Sequence, residues 1–332
     1  MDTRLNASIR GRKASMHVVC AAAALGAMLS GCGGAGHSPL PPPPPPPPPG
    51  PDNGPASTLS CDGYPQTFSQ TTQVCLMIHQ NIAITPNLSV TTTAGNLLGH
   101  GRDGLSAFTL YTRIIAGAAD ENTATALARS VVVSTANGSI SETSAPVTSP
   151  ETLSVDFEVF TASTTNLTLN SNAGNMSVDN YNATLQLTPM AGNVSVQTVQ
   201  GQTTVNDSSG NVSLQTVQGV TNVTDLAGSV SLQTVQGQTT VNDSVGNIDV
   251  TLSGSGWTGA GMKATADAGN ITLSRPAGYQ AAFTAKSDAG NAIIDSQTAS
   301  STAGTPAVVT AGTGAPITLE SKIGNVAVTM AQ

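Results

Sequence analysis

The chain has 332 residues, 39% hydrophobic but only 9% charged and 3% aromatic, with 34 glycines and a formal net charge of −8. That mixture does not suit helical bundles built on Leu, Glu and Lys; it suits many short strands joined by Gly and Asn turns. The acidic balance provides no phosphate-binding surface, so nucleic acid is not an expected partner.

Residues 1–31 read as a signal peptide. Arg4, Arg10, Arg12 and Lys13 form a basic start, and the apolar run Val18–Ser30 that follows is too short to span a bilayer comfortably. The run ends in Leu29-Ser30-Gly31-Cys32, which resembles the bacterial lipobox. That resemblance implies that Cys32 is acylated and becomes the mature N-terminus, so that several acyl chains anchor the protein in a membrane. Gly33, where an Asp would retain a lipoprotein elsewhere, implies an exported bacterial lipoprotein of the outer membrane, facing the periplasm or the surface. The alternative is an ordinary signal peptide with an incidental Cys.

Residues 32–58 form a Gly/Pro-rich stalk. The nine prolines Pro41–Pro49 are restricted to polyproline II, and at ~3.1 Å per residue they make a semi-rigid spacer of about 28 Å. Residues 59–86 are a lead segment holding Cys61 and Cys75. With Cys20 lost in the signal and Cys32 acylated, an exported chain pairs the remaining two as a disulfide, stabilising by about 3 kcal/mol on loop-entropy grounds. A metal site there would have only His79 nearby as a further ligand.

Residues 87–164 alternate or run apolar in strand lengths ("NLSVTTTAGNLL", "AFTLYTRII", "RSVVVSTANGSI"). One short helix interrupts them at "AADENTATALA", Ala118 to Ala128, with Asp120 as N-cap.

Residues 165–332 carry the repeat. Gly174, Gly192, Gly210, Gly228 and Gly246 lie eighteen residues apart, with Gly201, Gly219 and Gly237 midway. Stacking copies eighteen apart aligns Val194, Val212, Val230 and Ile248 in one column, Val196, Leu214, Leu232 and Val250 in a second, and Val205, Val223 and Val241 in a third. Val199, Val217 and Val235 add another. No coil buries these residues alone, whereas stacked coils bury them continuously. The expected fold is all-β: a single-chain parallel β-solenoid of about 18-residue coils, a flattened two-sided roll or one with three short sides, with one short helix near its N-terminal end. After Ile248 the signature returns at longer intervals, at Asp267, Asp288 and, as the last coil, Lys322.

The strand-and-helix lead, the Gly-Asn strands and "GSGWTGAGMKATADAGNITLSRPAGYQAAFTAKSDAGNAIID" together resemble a bacterial β-strand-repeat family of unknown function labelled putative adhesins, whose heads are similar to the GIN-type adhesin head. The resemblance covers Asn87 to Val328. It implies a β-solenoid in a cell-envelope setting and transfers no binding residues.

Three acids, Asp207, Asp225 and Asp243, recur at one coil position and would stack about 4.8 Å apart. Each can make an Asx-type turn and point to solvent, or the row can raise its pKa values or take Ca²⁺. A retaining-glycosidase pair is a further reading, but no aromatic sugar platform accompanies it, Trp257 being the only tryptophan. Outward positions Ser195, Ser213 and Ser231, with Gln197, Gln215 and Gln233, form a candidate interaction face. The mature chain holds only His37, His79 and His100, none in a nucleophile elbow or metal spacing. The expectation is a non-catalytic envelope scaffold or adhesion module without cofactors. Its partners would be the membrane through its lipid and an envelope polysaccharide, a surface protein or another copy. The alternatives are a β-helix enzyme acting on envelope polysaccharide and a self-assembling filament.

Overall fold

The computed structural model describes residues 54–68 and 71–331. The signal peptide, Cys32 and the prolines Pro41–Pro49 lie outside the described residues. The N-terminal part comprises β1 (Gln66–Phe68), β2 (Thr71–Ile82), β3 (Asn87–Ala94), β4 (Leu97–Gly101), β5 (Phe108–Ala118), α1 (Glu121–Ser130), β6 (Val132–Ser134), β7 (Ser139–Thr143) and β8 (Thr152–Thr161). The regular coils follow as β9 (Asn166–Ala173), β10 (Met176–Tyr181), β11 (Leu185–Pro189), β12 (Val194–Val199), β13 (Thr203–Asp207), β14 (Val212–Val217), β15 (Thr221–Asp225), β16 (Val230–Gln233), β17 (Gln238–Val245) and β18 (Ile248–Thr251). The C-terminal part holds β19 (Gly261–Ala268), β20 (Ile271–Arg275), β21 (Ala282–Ala289), β22 (Asn291–Ile294), β23 (Gln297–Ser300), β24 (Ala307–Ala311), β25 (Pro316–Ile323) and β26 (Val326–Met330).

Successive strands of the regular part alternate between a 14-stranded and a 12-stranded sheet. Like-numbered positions of neighbouring coils pair in parallel, one coil being one 18-residue repeat: Val194 with Val212, Val212 with Val230, Val230 with Ile248, and Val205 with Val223, Val223 with Val241. The solenoid is therefore two-sided. The columns are buried between the sheets, Val196, Val205, Val212, Leu214 and Val241 completely so. Such burial supplies the main stabilisation, about 1.5–3 kcal/mol for each Val or Leu side chain removed from water.

The column of Val199, Val217 and Val235 breaks strict alternation, because Val196 and Val199 both point inward. Positive backbone φ at Thr198 (54°), Thr216 (56°) and Thr234 (54°) turns the chain by one residue and drives the valine into the corner. A β-branched residue is strained there, whereas Asn180, which holds the same position one coil earlier at φ 62°, is of a type that tolerates it. Thr216→Asn is accordingly expected to stabilise by about 0.5–1 kcal/mol, read as a higher urea midpoint with unchanged slope.

Corner asparagines form a ladder. The backbone N–H of Asn193 donates to Asn175 Oδ1 at 2.8 Å, that of Asn211 to Asn193 Oδ1 at 3.0 Å, and that of Ser229 to Asn211 Oδ1 at 3.0 Å. The ladder resumes from Asn247 through Asn270 and Asn325 to Asn291.

The coil stack does not follow chain order at its ends. β3 and β4 already pair in parallel with β9 and β10, so the first coil is residues 87–101 and the helix-bearing segment is an insertion between it and the coil of β9 and β10. At the far end β26 lies between β20 and β22, and β25 between β19 and β21. The Lys322 coil is thus last in the chain but internal in the stack, and the coil of β21 and β22 is outermost. The antiparallel strands β23 and β24 finish that end. At the other end β2, β5 and β8 form an antiparallel cap, and α1 packs on β2 and β5. Asp120 caps α1 as expected, its Oδ1 accepting from the Thr123 N–H at 3.0 Å.

Candidate functional site

Three groups of side chains stand out: the repeated acids, the outward ladders, and a charged cluster at the N-terminal end.

Alternation carries Thr203, Val205 and Asp207 to the same inward side of β13, and the equivalents of β15 and β17 follow. Asp207, Asp225 and Asp243 are therefore buried, at 2%, 0% and 2% exposure. The Asx turn is present at two of them, since Asp207 Oδ1 accepts from the Ser209 N–H at 3.0 Å and Asp225 Oδ1 from the Ala227 N–H at 3.1 Å, whereas both carboxyl oxygens of Asp243 are buried without a hydrogen-bond partner. The outward direction is absent. Burial raises all three pKa values, helped at Asp225 by the charge of Asp207 and at Asp243 by that of Asp225, which pushes Asp243 to about 6. Among the described residues no group of three or more His, Cys, Asp or Glu is gathered to hold a metal ion; the acids form a line along the stack.

Ser195, Ser213 and Ser231 pair across β12, β14 and β16, as do Gln197, Gln215 and Gln233. All point outward from the larger sheet, Ser195 half-buried and the others exposed. The glutamine row continues in register through Thr251, Ser274 and Thr329. It thus presents uncharged amides and hydroxyls at a strand spacing of about 4.8 Å.

The same row runs the other way into charge: Gln197 pairs with Asp179, Asp179 with His100, and His100 with Phe160. His100 stacks on Phe160 with centroids 4.7 Å apart. Its Nδ1 lies 2.8 Å from Asp179 Oδ2 and its Nε2 3.3 Å from Glu158 Oε1. Burial alone would lower the imidazole pKa, but the hydrogen bonds and charges of Asp179 and Glu158 push it up to about 9. Glu158 is completely buried. Burial would raise its pKa, yet hydrogen bonds from His100, Ser57 and Thr58 hold it down at about 2.

Those donors belong to a strap that crosses the cap. Ser57 Oγ donates to Glu158 Oε2. Thr58 donates through its N–H to Oε2 at 2.9 Å and through Oγ1 to Oε1 at 2.8 Å. Tyr111 Oη donates to the Pro55 carbonyl at 2.8 Å, and Arg113 reaches the Ser60 carbonyl at 3.2 Å while pairing with buried Asp156 at 2.8 Å. The Cys61–Cys75 disulfide, with Cα atoms 5.6 Å apart, ties the strap's end to β2. No motif flags this cluster, because His100, Glu158 and Asp179 come from three strands far apart in sequence; the visible signal was three ionisable residues on strands otherwise poor in charge.

The cluster sets a pH range for the strap. His100, with its pKa raised in the fold, contributes stability that is complete below pH 6.5 and lost as pH rises through about 9. Glu158, with its pKa lowered, contributes stability that is complete above pH 4.5 and lost as pH falls through about 2. Wild type is expected to lose thermal stability between pH 7 and 10 by a step that His100→Gln lacks, measured by melting curves in matched buffers.

The longer coils after Val250 fill their own corners. Buried Trp257 donates its indole N–H to the Gly237 carbonyl at 2.9 Å. Its loop is tied to the next coil by Trp257 N–H to Gln280 O at 3.2 Å and Gln280 N–H to Ser255 O at 2.8 Å. Among the described residues no helix is long and apolar enough to cross a membrane.

A family model described as toastrack DUF4097 matches residues 87–329, from the first coil through β26. The chain belongs to the toastrack DUF4097 family. In this toastrack protein the matched span begins where the coil stack begins, so the strap and disulfide precede it. Similar solved structures include a putative adhesin from Bacteroides fragilis, 14% identical, covering 76% of this chain and 96% of its own, with a TM-score of 0.43. A putative lipid binding protein from Parabacteroides distasonis is 12% identical, with coverage of 78% and 97% and a TM-score of 0.41. A putative adhesin from Parabacteroides merdae is 12% identical, with coverage of 77% and 96% and a TM-score of 0.30. No curated protein matches the chain.

Proposed function

We propose that the protein is a non-catalytic module of the bacterial cell envelope: exported, acylated at Cys32, held off the outer membrane by its proline stalk, and displaying the outer face of the larger sheet to an envelope polysaccharide. The observation that carries this reading is the pair of outward rows, Ser195-Ser213-Ser231 and Gln197-Gln215-Gln233, set in register on neighbouring strands. Repeated uncharged donors and acceptors on a rigid sheet suit a polymer of hydroxyl-bearing units better than a charged partner. The inward direction of Asp207, Asp225 and Asp243 supports a non-catalytic role, since a polymer on the surface does not touch them. The short antiparallel edge strands β1, β23 and β24 blunt the ends against copy-to-copy pairing, which disfavours filaments.

Binding is tested by sedimenting the protein with insoluble peptidoglycan and with neutral and acidic polysaccharides. Gln197→Ala/Gln215→Ala/Gln233→Ala is expected to weaken binding at least tenfold, about 1.4 kcal/mol, without lowering the melting temperature. Binding unaffected by the triple substitution, or turnover of the polymer, would overturn the reading. The anchor is tested by metabolic labelling with a radioactive fatty acid, which Cys32→Ser is expected to abolish.

A further inference from the structure

The acids occupy one column with serine and threonine. Thr92 pairs with Ser171 and Ser171 with Pro189; further along, Asp207 pairs with Asp225, Asp225 with Asp243, Asp243 with Ala266, Ala266 with Ser321 and Ser321 with Ser287. Where the column holds serine, its hydroxyl donates to the corner glycine carbonyl of the preceding coil in the stack. Ser321 Oγ reaches Gly269 O at 2.8 Å and Ser287 Oγ reaches Gly324 O at 2.6 Å.

The aspartates reproduce that geometry. A Cβ placed on Gly324 would lie 2.1 Å from Gly269 O and 3.1 Å from Ser321 Oγ, so these two hydrogen-bonded oxygens flank one bare glycine. A Cβ on Gly210 would lie 1.9 Å from Gly192 O and 3.1 Å from Asp207 Oδ2. On Gly228 it would meet Gly210 O and, at 3.0 Å, Asp225 Oδ2; on Gly246 it would meet Gly228 O and, at 2.8 Å, Asp243 Oδ2. Each Oδ2 therefore flanks the same glycine position that a serine hydroxyl flanks in the other coils, on the side of a carbonyl that can only accept. All three Oδ2 atoms are buried and have no hydrogen-bond partner. An ionised carboxylate would present acceptor to acceptor, repeated along the column; a carboxylic acid carries the missing donor.

We propose that at mildly acidic pH Asp207, Asp225 and Asp243 stand in the folded solenoid as neutral carboxylic acids, each donating its Oδ2 proton to the corner glycine carbonyl of the preceding coil, Gly192, Gly210 and Gly228 respectively. The column is a proton-binding site of three linked positions. The surroundings supply little compensating charge. The facing strands β12, β14, β16 and β18 carry no Lys, Arg or His, and their one acid is Asp249. On β19, Asp267 pairs with Lys322 at 2.7 Å and Lys263 with Glu320 at 3.2 Å. Burial holds the three pKa values up, Asp243 at about 6. An acid raised in the fold gives stability that is complete below its unfolded pKa of 3.8 and lost as pH rises through the folded value. The middle coils should then loosen from about pH 4 to somewhat above pH 6, opposite to the acid-side behaviour of Glu158.

Infrared difference spectroscopy of the whole folded protein reads the acids directly. At pH 5 wild type is expected to show the carbonyl band of protonated carboxylic acids, lost in Asp207→Asn/Asp225→Asn/Asp243→Asn. The melting temperature of wild type is expected to fall between pH 4 and 8 by several degrees more than that of the triple variant, whose amides donate at every pH. If the triple variant does not fold, Asp225→Ser, which restores the Ser321 arrangement, is expected to remove about a third of both signals. Absence of the protonated band at pH 5 overturns the proposal. So does stabilisation by calcium chloride that Asp225→Asn abolishes, which would make the column a cation site.

Discussion

Gly192→Ala is expected to lower the melting temperature by about 6–12 °C, corresponding to about 3 kcal/mol or more at roughly 2–4 °C per kcal/mol for a domain of this size. Gly192 has φ +137°, and an added Cβ would lie 2.1 Å from the Gly174 carbonyl of the coil before it. Neither strain can be relieved locally, because moving that carbonyl breaks the corner where Gly174 N–H donates to Ala191 O at 2.9 Å. The loss should be cooperative across neighbouring coils, since each is buried only by the next. Ser213→Ala, on the exposed face of β14, is the control and is expected to change stability by less than about 0.5 kcal/mol. Equal effects of the two substitutions in calorimetry would show that the corners are not closely stacked.

Glu158→Ala is expected to have an effect at least as large, a loss of about 3–5 kcal/mol, because removing one partner leaves the rest of a buried charged group uncompensated. His100 would keep Asp179 alone, and Ser57 and Thr58 would lose their common acceptor. The distinguishing readout is local. Limited proteolysis within residues 54–60 should accelerate strongly in Glu158→Ala at temperatures where the solenoid remains folded, while Glu158→Gln, which keeps an acceptor oxygen, falls between the variant and wild type. A strap equally protected in all three proteins would mean that the disulfide alone holds it.

The coil was legible because its cause is local and repeated: a glycine wherever backbones approach too closely for a Cβ, then apolar residues two apart. Val194, Val196 and Val205 declare their columns by period alone. Asp207 was equally legible by that rule, lying two residues beyond Val205, but its charge argued for solvent; the strand's alternation prevailed, and the energetic conflict moved into the carboxyl's protonation. Val199 was placed in a column without the means of getting there, since only the positive φ of Thr198 turns it inward. The stack order at the C-terminal end was not legible, because Gly-Asn corners are interchangeable and nothing local says that Asn325 sits between Asn270 and Asn291. The His100 cluster was hidden for a related reason: its members meet only once 87–101 is known to be a coil and 102–165 an insertion.

The stacking of like positions along one sheet is tested most directly by a single distance. Spin labels at Gln197→Cys and Thr329→Cys, in a chain with Cys20 and Cys32 replaced by Ser, lie on strands joined in register through Gln215, Gln233, Thr251 and Ser274. Five strand spacings of roughly 4.8 Å predict about 24 Å between the backbones in a double electron–electron resonance measurement. A distance more than twice that, as consecutive hairpins laid side by side would produce, would contradict the coil.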